Sequence, residues 1–291
     1  MTMTQLIPLI ISISIILMVF TFGLDASLKD VTWLFRKPGL LVRSILSMNI
    51  LMVVLAIGAA EFFHLDAAVK TAIIALALSP VPPIFPKKSS KIGATDSYAV
   101  ALVVSAALAS IILIPAWIEL LSGIFHFEAH SGLNKVLHIV LLKILLPLLA
   151  GILVHRFAPR LAERLAKPIS IVAMVLLVVA VLPVLFVSYH AMWAMVGNGV
   201  LVAMAVFGIV GIVVGHLLGG PNPDDRSVLA LATSARHPGI AIAITALNFP
   251  ERTKAVLIVV LFHLIVGAIV AIPYIQWRKH RHSDLEAKER A

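Results

Sequence analysis

A chain of 291 residues that is 61% hydrophobic and 13% charged, with a mean hydropathy of +1.07, is not a soluble domain, because soluble domains average about half apolar and a quarter charged residues. With no cysteine, a disulfide framework, a thiolate metal site and a cysteine nucleophile are all excluded. A formal charge of +9 would suggest nucleic acid in a soluble protein, but here the Lys and Arg gather in alternate loops between long apolar runs, which is the charge pattern of a membrane protein.

The first stretch, "MTMTQLIPLIISISIILMVFTFGL", has no basic leader and no small-residue cleavage site. It is expected to be a retained span and not a signal peptide. Apolar runs separated by polar or Pro/Gly-marked breaks give nine expected spans, near 5–24, 39–63, 67–86, 96–121, 135–156, 168–188, 197–219, 225–247 and 254–277. Each is close to the roughly 20 residues a helix needs to cross a bilayer. The expected fold class is therefore an all-α polytopic membrane protein. Residues 1–277 form one transmembrane domain, and residues 278–291, "RKHRHSDLEAKERA", form a solvated basic tail.

The loops orient the spans. Loops after odd-numbered spans carry Lys29, Arg36 and Lys37, then Lys87, Lys88 and Lys91, then Arg156, Arg160, Arg164 and Lys167, then Arg226. The other loops carry little beyond Lys70, Lys135, Arg252 and Lys254, and they also hold Glu61, Asp66, Glu128 and Glu251. This asymmetry places the N-terminus outside and the C-terminus in the cytoplasm. The bacterial style of the chain points to the plasma (inner) membrane.

Two spans are interrupted. Span three, "TAIIALALSPVPPIFPKK", has Pro80, Pro82, Pro83 and Pro86 within seven residues, and no continuous helix survives that. Span eight, "SVLALATSARHPGIAIAITAL", is broken at Pro238 and Gly239. Each is a Leu/Ala-rich half-helix that ends in Ser or Thr before the break. They stand at corresponding places in two halves, about 1–121 and 135–277, that face opposite ways. Matched broken segments point to an inverted-repeat transporter with its site at the membrane midplane, where half-helix ends become ligands.

Several stretches resemble the bile acid:sodium symporter family, of the bile/arsenite/riboflavin transporter superfamily. "FTFGLDASLKDVTWLFRKPGLL" is similar to that family's first span and the turn after it. "LKILLPLLAGILVHRF" is similar to its mid-chain span, and "LFHLIVGAIVA" resembles its last span with an aromatic–His pair. The resemblance covers most of the chain, in a nine-span form. It implies a panel domain beside a core domain, two broken helices crossing in the core, and alternating access. It also implies organic-anion substrates: bile acids, steroid sulfates or smaller carboxylates.

The chain departs from the family at the sodium sites. The family's first broken helix runs Pro-Gly-Gly-Thr-x-Ser-Asn, where this chain reads "SPVPPIFPKKSS", so its Ser–Asn pair falls near Pro86–Lys87 or Lys87–Lys88. Its second carries a Glu and then Gln-Asn-Ser-Gly. Here Ala232 stands at the Glu, Arg236 at the Gln and His237 at the Asn, and the hydroxyl ligands of the next span fall on Val100 and Val104. Sodium wants oxygen ligands, and a fixed cation beside it repels it. The expectation is that the standard sodium sites are absent and no cofactor or metal is bound, which leaves proton coupling, exchange, uniport or sodium coupling through an altered site open.

The substrate-binding candidates are Arg236, His237, Lys87, Lys88, Asn49, Thr233, Ser234 and His263. Arg236, with Lys87 or Lys88, stands where the sodium ions would. Its guanidinium can cap half-helix carbonyls and hold an anion by a bidentate fork. The competing reading is a structural lock between Arg236 and Asp96 or another carboxylate. His237 offers pH sensitivity, with a reference pKa of about 6.5. Asn49 is a candidate cavity residue of span two, Thr233 and Ser234 end a half-helix, and His263 matches a residue of the family's pattern. Ser44, Ser47 and His216 read as structural, and Lys143 as a residue near a span end that reaches for the interface.

The expected function is secondary transport of a small organic anion across the lipid bilayer, with no enzyme activity and no nucleic acid partner. The alternatives are sodium coupling through altered ligands, a channel or sensor on the same fold, or an intramembrane enzyme using Asp224 and Asp225. Against the last, no nucleophile–base pair or zinc motif is present, and the two acids read as the N-cap of span eight.

Overall fold

The computed structural model describes residues 3–63, 65–82, 96–126, 137–138, 140–196 and 199–289. Among these residues there is no strand, and helices stand at all nine expected spans. Six helical stretches, with the interrupted Pro223–Asn248 counted as one, are long and apolar enough to cross a membrane, and Leu9–Asp25 and Ala67–Leu78 are shorter apolar helices.

The first helix, α1, is Met3–Asp25. Ser27 then caps the short α2, Leu28–Thr32: its hydroxyl accepts from the Asp30 backbone N–H, while Asp30 Oδ2 accepts from the Ser27 N–H at 2.8 Å and hydroxyl at 2.6 Å. Asp30 Oδ1 also takes a hydrogen bond from Ser97. Partial burial pushes the Asp30 carboxyl up, but the hydrogen bonds from Ser27 and Ser97 outweigh it and hold it below its ordinary value. A carboxylate of this kind contributes stability above its unfolded pKa of about 3.9 and loses it as pH falls through the lower folded value. Ser27→Ala is expected to cost about 1 kcal/mol at neutral pH. It is also expected to reduce acid sensitivity, read as melting temperature against pH; an unchanged profile counts against the capping box.

The next helix, α3 (Pro38–Phe62), starts with Pro38 at its first position, where the missing N–H is no loss. It opens into a π-helical turn at Leu46–Leu51 that carries Ser47 and Asn49. After it come α4 (Ala67–Leu78) and α5 (Asp96–Phe125). A second π-turn at Leu141–Leu145 leads into α6 (Leu146–Phe157), followed by α7 (Pro159–Ala194) and α8 (Val200–Leu218). The interrupted span comprises α9 (Pro223–Ser234) and α10 (Pro238–Asn248), and α11 (Thr253–Glu289) closes the chain.

Three expectations are corrected here. The basic loop expected before residue 168 is helical: Arg160, Arg164 and Lys167 lie in the opening turns of α7, which Pro159 starts. The N-cap of α9 is Asn222, whose side chain accepts from the Asp224 N–H at 2.8 Å; Asp224 and Asp225 occupy the first turn, where the helix dipole favours them. Arg278 is not solvated. It is 8% exposed and ties α11 to the start of α9, with Nε donating to Ser227 Oγ at 2.5 Å, Nη2 to the Pro223 carbonyl at 3.0 Å, and Nη2 3.6 Å from Asp224.

Two helix groups emerge from close backbone approach. In the first, α1 packs on α6 and α7. A Cβ on Gly23 would lie 2.2 Å from the Leu148 carbonyl, one on Gly151 would lie 2.3 Å from the Phe20 carbonyl, and Ser14 Oγ donates to the Ala173 carbonyl at 2.7 Å. In the second, α8 presses against α9 along Gly211, Gly215 and Gly219, spaced four apart on one face. The buried apolar core runs through α3, α4, α5, α10 and α11, while much of α7 faces outward, with Phe186 and Val187 exposed.

Candidate functional site at the helix crossover

In the second interrupted span the break is Ala235-Arg236-His237, in extended backbone, and Pro238 and Gly239 are the first residues of α10. Proline is at home there, so the residues read as breakers are the restart. In the first, α4 stops at Leu78, and Ser79 is extended before Pro80 and Pro82. Pro83, Pro86, Lys87 and Lys88 lie outside the described residues.

The two breaks meet. The His237 backbone N–H donates to the Pro80 carbonyl at 3.0 Å and to Ser79 Oγ at 3.0 Å. The Ser79 hydroxyl in turn donates to the Leu76 carbonyl at 2.8 Å. Arg236 Nη1 donates to the carbonyls of Ala77 at 3.4 Å and Ser79 at 3.3 Å. A cation therefore sits on the negative end of the α4 dipole, where it is favoured. Thr233 Oγ1 and Ser47 Oγ are 2.7 Å apart, which ties the end of α9 to the π-turn of α3. That turn also holds Asn49, whose carbonyl accepts from Trp117 Nε1 at 2.9 Å. Such turns recur at functional sites because they free backbone groups from the ladder.

The predicted residues take different parts. Arg236 is 2% exposed, and its Nε and Nη2 have no hydrogen-bond partner among the described residues. No carboxylate is within ion-pair distance of it among the side chains described; that of Asp96, the partner expected for a structural lock, lies outside them. A guanidinium carries five N–H donors. The two on Nη1 are turned to α4, and the Nε–Nη2 edge, which a carboxylate grips in bidentate fashion, is left over. Asn49 Oδ1 and His263 Nδ1 are also buried without partners among the described residues, and His263 lies within electrostatic reach of Arg236.

His237 is committed to structure: its Nδ1 accepts from the Ile240 N–H at 3.4 Å, capping α10. Ser234 is half-buried and donates back to the Leu231 carbonyl at 3.1 Å. Ser44 links to Tyr98 Oη at 2.8 Å, and His216 Nδ1 stands 2.8 Å from Tyr274 Oη, both as structural contacts. Lys143 sits in the second π-turn and is half-buried.

Sequence reasoning missed Ser79, which joins both breaks. A Ser directly before the first Pro was the available signal.

Among the described residues, the positions that match the family's sodium ligands offer few free oxygens. The Ala77 and Ser79 carbonyls already accept from Arg236, and Ala232 and Val104 are buried side chains without oxygen. Among the described residues no group of three or more His, Cys, Asp or Glu stands ready for a metal. What the arrangement offers is donors to an anion in a dry, apolar setting.

A cavity of about 420 Å³ opens between α4, α5 and α10, a size that suits a small organic ligand. Its rim carries Lys70, Arg252 and Glu61, and it reaches Leu78, beside the Ser79 carbonyl that Arg236 caps.

The model of the sodium bile acid symporter family matches residues 12–192. The match ends before the break that holds Arg236. No curated protein matches the chain.

Proposed function

Since the chain belongs to the sodium bile acid symporter family, a family of membrane transporters, we propose that it carries an organic anion by alternating access without the family's sodium ions. The substrate is a bile-acid-like compound, a steroid sulfate or a smaller carboxylate. The observation that carries this reading is Arg236, a buried guanidinium at the meeting of two broken helices with its Nε–Nη2 edge unpartnered among the described residues. Ionisable groups at membrane depth are costly and mark transport paths. Here the charge replaces the cation that the carbonyls would otherwise hold, and its free edge receives the anion.

The inverted-repeat reading assigns 1–121 and 135–277 to the two halves, with Asn49 and Thr233 lining the path and Lys87 and Lys88 at its cytoplasmic side. The group of α1, α6 and α7 is the panel, and the remaining helices are the core that moves against it. The protein is integral to the plasma membrane, with the N-terminus outside and the C-terminus in the cytoplasm, as the loop charges suggest.

The test is counterflow in liposomes with radiolabelled taurocholate, estrone sulfate and pyruvate, with sodium replaced by choline. Exchange of at least one probe is expected, at an unchanged rate in choline. Steep sodium dependence overturns the sodium-free reading and directs attention to unpartnered oxygens such as Asn49 Oδ1 and Ser105 Oγ.

A further inference from the structure

We infer that His263 is the proton-carrying group of this transporter, loading a proton together with the anion that Arg236 holds. The inference rests on the anion-transport reading above and adds the coupling ion to it.

His263 lies in α11, 2% exposed, with its ring over Gly267 and edge-on to Phe207, the ring centroids 5.6 Å apart. Its Nδ1 is buried and has no partner among the described residues. Buried polar groups are as a rule hydrogen-bonded. With the ring proton on Nε2, the unmatched Nδ1 has a lone pair free to take a proton. Among the described residues, Arg236, from the break between α9 and α10, is the charged group within electrostatic reach of His263. From α8 the ring meets Phe207, which does not titrate.

His237, the neighbour of Arg236, is poorly placed for the same task. Its Nδ1 already accepts from the Ile240 N–H, so a proton there would break the cap of α10. Protonating His263 breaks no hydrogen bond at Nδ1.

The electrostatics then couple the two ligands. With the anion site empty, an imidazolium at His263 faces the Arg236 cation in a low dielectric, and the two repel. An anion on the free edge of Arg236 cancels that repulsion. Anion and proton therefore bind with positive coupling, and by reciprocity each tightens the other. One proton adds to the Nδ1 lone pair on loading and leaves the same atom on release, so a monovalent anion crosses with no net charge. Burying the neutral pair costs less than burying either ion alone.

The first arm of the test is uptake of the same three radiolabelled anions into liposomes at a series of external pH values. For an anion that is carried, each unit fall in pH is expected to tighten binding by up to about tenfold. His263→Gln and His263→Asn flatten this profile, and Arg236→Gln lowers uptake at least about a hundredfold. Wild-type exchange that depends on Arg236 but ignores pH overturns the proton inference and leaves the anion reading standing. Failure of all three probes to exchange overturns both.

The second arm needs no anion. Purified wild type and His263→Gln, both checked as folded and monodisperse, are titrated for bound protons between about pH 4 and 8. The wild type is expected to bind one proton more, and Arg236→Gln is expected to move that step to higher pH, because it removes the repulsion. Superimposable titrations of wild type and His263→Gln overturn the inference.

Discussion

Arg236→Gln is expected to lower anion exchange at least about a hundredfold while the bundle stays folded. A glutamine ends two bonds short of Nη1 and gives up the bonds to the Ala77 and Ser79 carbonyls, but the His237 N–H still donates to the Pro80 carbonyl and Ser79 Oγ, so the tie between the breaks weakens but is not lost. The anion loses more. A carboxylate gripped by the Nε–Nη2 edge makes two charge-assisted hydrogen bonds, each worth about 1.5–3 kcal/mol. Losing roughly 3 kcal/mol already corresponds to about a hundredfold in affinity.

Arg236→Lys separates charge from geometry. An ammonium keeps the cation, but it cannot donate to both carbonyls and also present a planar fork. We expect it to fold and to exchange anion about tenfold more slowly than the wild type. Wild-type exchange rates in Arg236→Gln would mean that the guanidinium is only a bolt between the two breaks.

The interrupted spans were legible because their signals are local. Prolines at 80 and 82 and the Ser-Ala-Arg-His-Pro-Gly run mark chain that cannot be continuous helix. The same locality explains the error at Pro238, since a proline ends one helix and begins the next with equal ease, and only the backbone shows which. The partners of Arg236 were not legible: Ala77 and Ser79 lie 159 and 157 residues away along the chain. Composition says that a buried guanidinium must be matched, but not with what.

His237 and His263 exchanged importance for a related reason. A residue directly before a helix-starting proline stands at the N-cap, and this one spends its ring on that cap, which the sequence hinted at. The isolation of His263 depends on Phe207 and Gly267 closing around it, and that is a property of packing. Arg278 looked solvated because the basic residues around it suggest a tail; its Ser227 and Asp224 contacts come from a turn some fifty residues earlier.

Gly215→Ala is expected to be strongly destabilising and to reach the site as well. A Cβ there would stand 2.4 Å from the Leu229 carbonyl oxygen, 2.6 Å from the Ala230 Cα and 2.7 Å from the Leu229 carbonyl carbon. All three are backbone atoms, so no side chain can rotate aside and α9 as a whole must move away from α8. That motion takes Thr233 from Ser47 and draws Arg236 off the end of α4, which couples a packing defect to the site. Overpacking by one methylene costs about 1–3 kcal/mol where neighbours can adjust. At the upper end, a shift of about 2–4 °C per kcal/mol gives a melting temperature lower by about 6–12 °C. Anion exchange is expected to fall with it.

Gly208→Ala, on the same helix, is the control. Its nearest neighbour is Val270 Cγ1 at 3.5 Å, an ordinary contact, and alanine favours the helix by up to about 1 kcal/mol. That variant is expected to melt at or above the wild-type temperature and to exchange normally. Equal stability of the two alanine variants would show that the α8–α9 seam yields, and would remove the rigid backing that holds Arg236 over the broken end of α4.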